Sequence, residues 1–144
     1  SWAVYDFALC YHYTHEEAIL PLFERVTKYF IDHLPEDYVP YWDLIFSDGS
    51  CEPRDTSAAA IAACGILEME KYYHNQEFLD IAKKMMSSLS EKYTTVDYLQ
   101  SNGIIKDGMY SRKHGHKSEC TSWGDYFYLE ALMRMKKSDW KIYW

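Results

Sequence analysis

Basic residues are scarce: 15 Lys and Arg stand against 22 Asp and Glu, a formal net charge of -7 over 144 residues. Contacts to a phosphate backbone need clustered Lys and Arg. The one such cluster is SRKHGHK (Ser111 to Lys117), so general nucleic-acid binding is disfavoured. No apolar run approaches the ~20 residues that cross a bilayer as a helix. Cys10, Cys51, Cys64 and Cys120 form no C-x-x-C pair, and their long spacings argue against a zinc site. Cys10 and Cys64 lie in apolar helical stretches and read as small buried hydrophobes. Reduced thiols are the default and fit the cytoplasm, with the periplasm as the alternative. G-x-S-x-G, the P-loop and G-x-G-x-x-G are missing, and no two carboxylates form an obvious acid/base pair.

Aromatics are abundant at 17%, with 14 Tyr and 5 Trp. They serve cores and sugar-stacking clefts alike, because a flat π-face also matches the C–H face of a pyranose. At 48% hydrophobic, the chain can bury the core of one domain, 1–144.

Strand signals are nearly absent and 3.6-residue periodicity is strong. Helices are expected from about Trp2 to Tyr13, Glu16 to His33, Asp55 or Thr56 onward, Glu77 to Tyr93, and Ser122 to Lys136. Thr14 with Glu17 has capping-box spacing. Pro35 ends the second helix, and TTVDYLQSNG offers a further helical turn. Two stretches, YHYTHEEAILPLF and KYYHNQEFLDIAKK, repeat one pattern: aromatics, a polar turn, a Glu and an amphipathic helix. SAAAIAACGIL is apolar nearly all round, as a helix surrounded by neighbours must be. EFLDIAKKMMSSLSEK has one apolar and one wet face. An inner helix followed by an outer one, repeated, is the grammar of an α/α toroid. Five helices do not close a ring, so the expectation is a portion of a longer barrel: two hairpins plus a last inner helix.

Three segments carry candidate chemistry. Arg54 and Asp55 precede the third helix. There Asp55 is either a plain N-cap with a flanking Arg or part of a toroid mouth, and unpaired N–H groups with the helix dipole favour its charge either way. Trp42 and Asp43 in YVPYWDL pair a stacking ring with a hydroxyl acceptor, or anchor a loop. In WGDYFYLEAL, Gly124 permits close backbone approach. Asp125 caps the helix or faces a cleft, Tyr126 and Tyr128 serve core or cleft, and Leu129, Leu132 and Met133 form the expected buried stripe. Trp2 stacks on a ligand or on further sequence. His114 and His116 are weak metal evidence, and a cationic loop or a solvated charge run explains them better.

Together these segments resemble the unsaturated glucuronyl hydrolases, glycoside hydrolase family 88. WAVYDFALCYHYT is similar to the family's Trp-Ala-x-Tyr-Gly-Phe-Ala helix, YFIDHLPEDYVPYWD to its VPYWD segment, PRDTSAAAIAACGILEM to its PRD segment and WGDYFYLEALMRM to its closing signature. The last argues against the sister unsaturated rhamnogalacturonyl hydrolases. One departure is Asp6, where Gly is usual. The resemblance implies an (α/α)6 barrel of which this chain is the C-terminal part, with no metal or organic cofactor. It implies that the catalytic Asp lies upstream, so no catalytic residue is expected here. That Asp would protonate the C4=C5 bond left by a polysaccharide lyase and then activate water. The expected partners are an unsaturated uronyl oligosaccharide and the remainder of the barrel, not nucleic acid or membrane. The implied substrate wall is Trp2, Trp42, Asp43, Arg54, Asp55, Trp123, Asp125 and Tyr126, with SRKHGHK near the second sugar. A non-enzymatic helical-hairpin interaction module and a six-hairpin glycosidase of other specificity are the competing expectations.

Overall fold

The computed structural model describes residues 1–112, 119–137 and 139–142. Five α-helices account for its regular structure: α1 (Trp2–Thr14), α2 (Leu20–Asp32), α3 (Thr56–Met69), α4 (Gln76–Lys92) and α5 (Ser122–Lys136), with a 3-10 turn at Glu17–Ile19 before α2. Among the described residues the only β features are isolated bridges, such as Tyr41 with Arg54 and Gly108 with Glu119. No helix is long and apolar enough to cross a membrane among the described residues.

Local chemistry sets the boundaries. The side chains of Asp55, Asn75 and Thr121 accept from backbone N–H groups in the first turns of α3, α4 and α5. Pro21 sits near the start of α2, where its missing N–H costs nothing. The expected Thr14–Glu17 capping box does not form. The Thr14 hydroxyl instead donates to the Cys10 carbonyl (2.7 Å) and accepts from Glu16 N–H (3.3 Å), because the chain turns left-handed at His15 (φ 53°) before the next helix starts. TTVDYLQSNG forms turns without a helix.

Packing follows the predicted inner and outer pattern. α3 lies against α1, α5 and α4, while α2 covers α1. Twelve of the 14 residues of α3 are buried, which requires its apolarity all round. α2 and α4 bury one face each, through Phe23, Thr27 and Phe30 and through Phe78, Ala82, Met85 and Leu89. Glycine sets the closest crossing: a Cβ on Gly65 would stand 2.8 Å from the Tyr5 backbone.

Two burial expectations fail. Cys10 is exposed, and only Cys64 is buried, its thiol donating to the Phe127 carbonyl at 3.2 Å. Leu129 and Leu132 are exposed too (47% and 37%), and Met133 is half-buried. The buried face of α5 consists of Gly124, Phe127, Tyr128, Glu130, Ala131 and Arg134. That face meets α3, through Phe127 O with Cys64 and Arg134 with Glu68.

Candidate functional site

The N-terminal ends of α1, α3 and α5 meet at one end of the inner layer. Trp2 of α1 stands edge-on to Phe127 of α5, ring centroids 5.4 Å apart. Trp123 Nε1 donates to Ser57 Oγ of α3 (3.2 Å), and the backbone N–H of Thr56 reaches the Asp107 carbonyl (3.1 Å). The segment 40–42 runs beside 53–55, through Trp42 N–H to Pro53 O and Asp55 N–H to Pro40 O. Trp123 is thereby linked to Asp55 through Ser57, the backbone of Trp42 to the segment that carries Arg54 and Asp55, and Trp2 to α5 through Phe127.

Their roles divide. Trp2 is half exposed (51%), and Tyr126 is exposed with its ring edge-on to Phe127 (5.1 Å). These two rings face solvent over a buried aromatic. Trp123 is half-buried beside Tyr110, which is exposed. The Trp42 indole is tied to Glu52 (2.8 Å) and leans on Phe46. Asp43 accepts the Ile45 N–H (3.1 Å), a local turn.

Three of the predicted polar groups turn inward. Arg54 donates to Asp37 (3.0 Å) and the Val39 carbonyl (2.5 Å), pairs with Asp48 and lies 4.1 Å over the Tyr41 ring. It is a clamp for the loop before α3. Asp125 takes the N–H groups of Ile104 (2.9 Å) and Ile105 (3.0 Å) on one oxygen, fastening the 103–105 segment to α5. Asp55 accepts from Ser57 N–H and Oγ (3.1 and 2.6 Å) and from Met109 N–H (3.3 Å). Burial raises the Asp55 carboxyl above its ordinary value, against the opposing pull of those donors. Asp6 is exposed on α1. Lys113 to Ser118, including His114 and His116, lie outside the described residues. No metal-competent group of three or more His, Cys, Asp or Glu occurs among the described residues.

Sequence reasoning missed a buried charge network beneath the mouth. Glu68 of α3 and Glu130 and Arg134 of α5 are almost fully buried. The Arg134 guanidinium pairs with Glu130 Oε1 (Nε 2.8 Å, Nη2 2.7 Å) and, through Nη1, with Glu68. Glu68 also meets Lys71 (2.7 Å) and His12 (2.8 Å). Burial raises the Glu68 carboxyl, but the Lys71 and Arg134 partners outweigh it and the net shift is downward. Glu130 further accepts the Tyr5 hydroxyl (3.1 Å). Tyr5 and Tyr126 are both held protonated, chiefly by burial and then by this carboxylate. Glu130 and Arg134 sit at i and i+4, a pairing visible in the sequence. Glu68 is 66 residues away from Arg134 and carried no such signal.

Such a surface, two exposed aromatic rings on a rigid buried base, suits the apolar face of a sugar ring. An unsaturated chondroitin disaccharide hydrolase of Streptococcus pneumoniae is 45% identical over 150 residues, covering 100% of this chain and 38% of the relative. The chain groups with the unsaturated glucuronyl hydrolases. The unsaturated glucuronyl hydrolase of Bacillus sp. (strain GL1) is 36% identical over 143 residues, covering 95% of this chain and 38% of its own length. A crystal structure of the unsaturated glucuronyl hydrolase from Streptococcus agalactiae, an Asp-to-Asn variant, superposes with a TM-score of 0.93 at 42% identity, covering 99% of this chain and 42% of that one. Another variant of that enzyme, solved with dGlcA-GalNAc6S, superposes at 0.92. No protein-family model matches. The chain thus spans about two fifths of the length of the unsaturated glucuronyl hydrolases it matches. Its helices superpose on part of their all-helical toroid.

Proposed function

We propose that this chain forms part of the substrate wall of a hydrolase that removes the unsaturated, 4-deoxy-4,5-ene glucuronic acid from oligosaccharides made by polysaccharide lyases. The observation that carries the proposal is the similarity over the whole chain, 42–45% identity with matching fold, to enzymes of that activity. Hydration of the C4=C5 bond needs one carboxylic acid to protonate the vinyl ether and then, as carboxylate, to activate water. In this proposal that Asp belongs to sequence outside the 144 residues, which alone are inactive. The residues here bind and orient: Trp2, Trp123 and Tyr126 through their rings, with Asp55, Trp42 and Asp43 shaping the rim. Arg54 and Asp125 act indirectly, by holding the loops that carry that rim. The substrate is of chondroitin type, because the streptococcal relatives are chondroitin disaccharide hydrolases, whereas a heparin-specific enzyme is only 25% identical. The rest of the barrel is the partner of the exposed Leu face of α5, and the cytoplasm is the proposed compartment.

The test uses the full-length protein and an unsaturated chondroitin disaccharide, following loss of the ultraviolet absorbance of the conjugated double bond. Turnover is expected, with Trp2→Ala raising KM roughly tenfold for the loss of one stacking ring. A full-length protein that leaves the absorbance unchanged would overturn the proposal in favour of a six-hairpin glycosidase of other specificity or a binding module.

A further inference from the structure

We infer that Ser57 is a positioning residue of the sugar wall, setting the plane of the Trp123 ring through a one-way relay of hydrogen bonds that ends on Asp55. This rests on the function proposed above, in which the Trp123 ring meets the substrate. An indole N–H can only donate, so Trp123 Nε1 donates to Ser57 Oγ at 3.2 Å. A hydroxyl has one proton to donate, and that of Ser57 goes to Asp55 Oδ1 at 2.6 Å. The direction of the relay is thereby fixed, from Trp123 through Ser57 to Asp55. The receiving oxygen also accepts the N–H groups of Ser57 (3.1 Å) and Met109 (3.3 Å). It is held from α3 and from the loop before α5 alike.

Ser57 has little freedom to turn away. It is 3% exposed, in the first turn of α3. α5 passes so close that a Cβ on Gly124 would stand 3.3 Å from the Ser57 Cβ. Helix propensity would favour alanine at this position, as at Ala58, Ala59 and Ala60. Burying a hydroxyl there is offset only by what the hydroxyl binds. Trp123, in the first turn of α5, is half-buried, with the Tyr110 ring centroid 5.9 Å from its own. Its χ2 is a broad, roughly two-fold torsion. Flipping the indole about χ2 would carry Nε1 away from Ser57 and break the bond, so the relay selects one face of the ring. A ring whose plane is fixed before a ligand arrives loses less freedom on stacking, and that acts on binding rather than on the chemical step.

The experiment measures kcat and KM of the full-length enzyme on an unsaturated chondroitin disaccharide for wild type, Ser57→Ala, Trp123→Phe and the double variant. Ser57→Ala removes one oxygen and keeps a good helix former. It is expected to raise KM by roughly three- to tenfold, the contribution of one hydrogen bond, while kcat stays within about twofold. In the Trp123→Phe background, which has no indole N–H to place, Ser57→Ala should change KM by less than about twofold. Unchanged KM in Ser57→Ala overturns the inference, as does an equal rise in KM in the two backgrounds. Should Ser57→Ala not fold, Ser57→Cys takes its place, since a thiol keeps the shape and accepts weakly, and the same two outcomes decide. Absence of turnover in the wild type would defeat the proposed function and the inference with it, whereas turnover with an unmoved KM in the variant defeats the inference alone.

Discussion

Gly65 is where the α1–α3 packing is most exposed to test. An alanine there places a Cβ 2.8 Å from Tyr5 N and Cα and from Val4 C. All three are backbone atoms, so no side chain can rotate aside. Carbon contacts relax only at about 3.5–4.0 Å, so α1 and α3 must part locally by roughly 0.7 Å or more. A gap of that size forfeits a quarter to a half of the dispersion energy of each contact it opens. Overpacking costs about 1–3 kcal/mol, and with backbone atoms alone in the way the upper part of that range applies, about 2–3 kcal/mol, while the better helix propensity of alanine returns about 1 kcal/mol. The net expectation is a loss of about 1–2 kcal/mol, close to a tenfold shift in the unfolding equilibrium. Urea denaturation of the full-length protein, followed by tryptophan fluorescence, measures it. The midpoint should fall with the slope unchanged. An unchanged or raised midpoint in Gly65→Ala would mean that α1 and α3 do not cross at this position.

The buried network makes a larger prediction. Arg134→Met leaves Glu130 with the Tyr5 hydroxyl in place of its cation and removes one cation from Glu68, so it should cost about 3–5 kcal/mol, the usual result of stranding a buried charge. Adding Glu130→Gln should recover part of that loss, and a single-variant cost near zero by urea titration would contradict the network. Asp55 predicts a pH dependence. Its folded-state pKa is raised, so its stabilising protonation is complete below the unfolded value of about 4 and is lost as pH rises through the folded value. Asn caps a helix as well as Asp does and does not titrate. Asp55→Asn should therefore lose less stability than wild type between pH 4 and 7, and parallel stability profiles would refute this.

The mouth was legible only in part. Trp2, Asp55 and Trp123 stand out because they open helices, and a helix start is a local pattern of cap and period. Their convergence followed from the inner-and-outer hairpin pattern. What each does there was not legible. Arg54 and Asp125 have the chemistry of sugar-binding groups, but loop backbone and neighbouring side chains already occupy them. Ser57, which joins Trp123 to Asp55, lies in the run SAAAIAA and has no feature that separates it from a small packing residue.

Sequence alone determined the five helices, most of their ends and the rank of α3 as the central one. Capping and periodicity act within a few residues, and a segment apolar on every side has no stable place except among neighbours. Tertiary structure alone decided which side of α5 packs on α3. Leu129 and Leu132 are more hydrophobic than Glu130 and Arg134, yet within these 144 residues it is the charges that pack against α3 and the leucines that stay exposed. Hydrophobicity measures what burial would contribute. Whether burial happens depends on what stands opposite, and opposite Glu130 and Arg134 stand Tyr5 and Glu68, brought there from far along the chain.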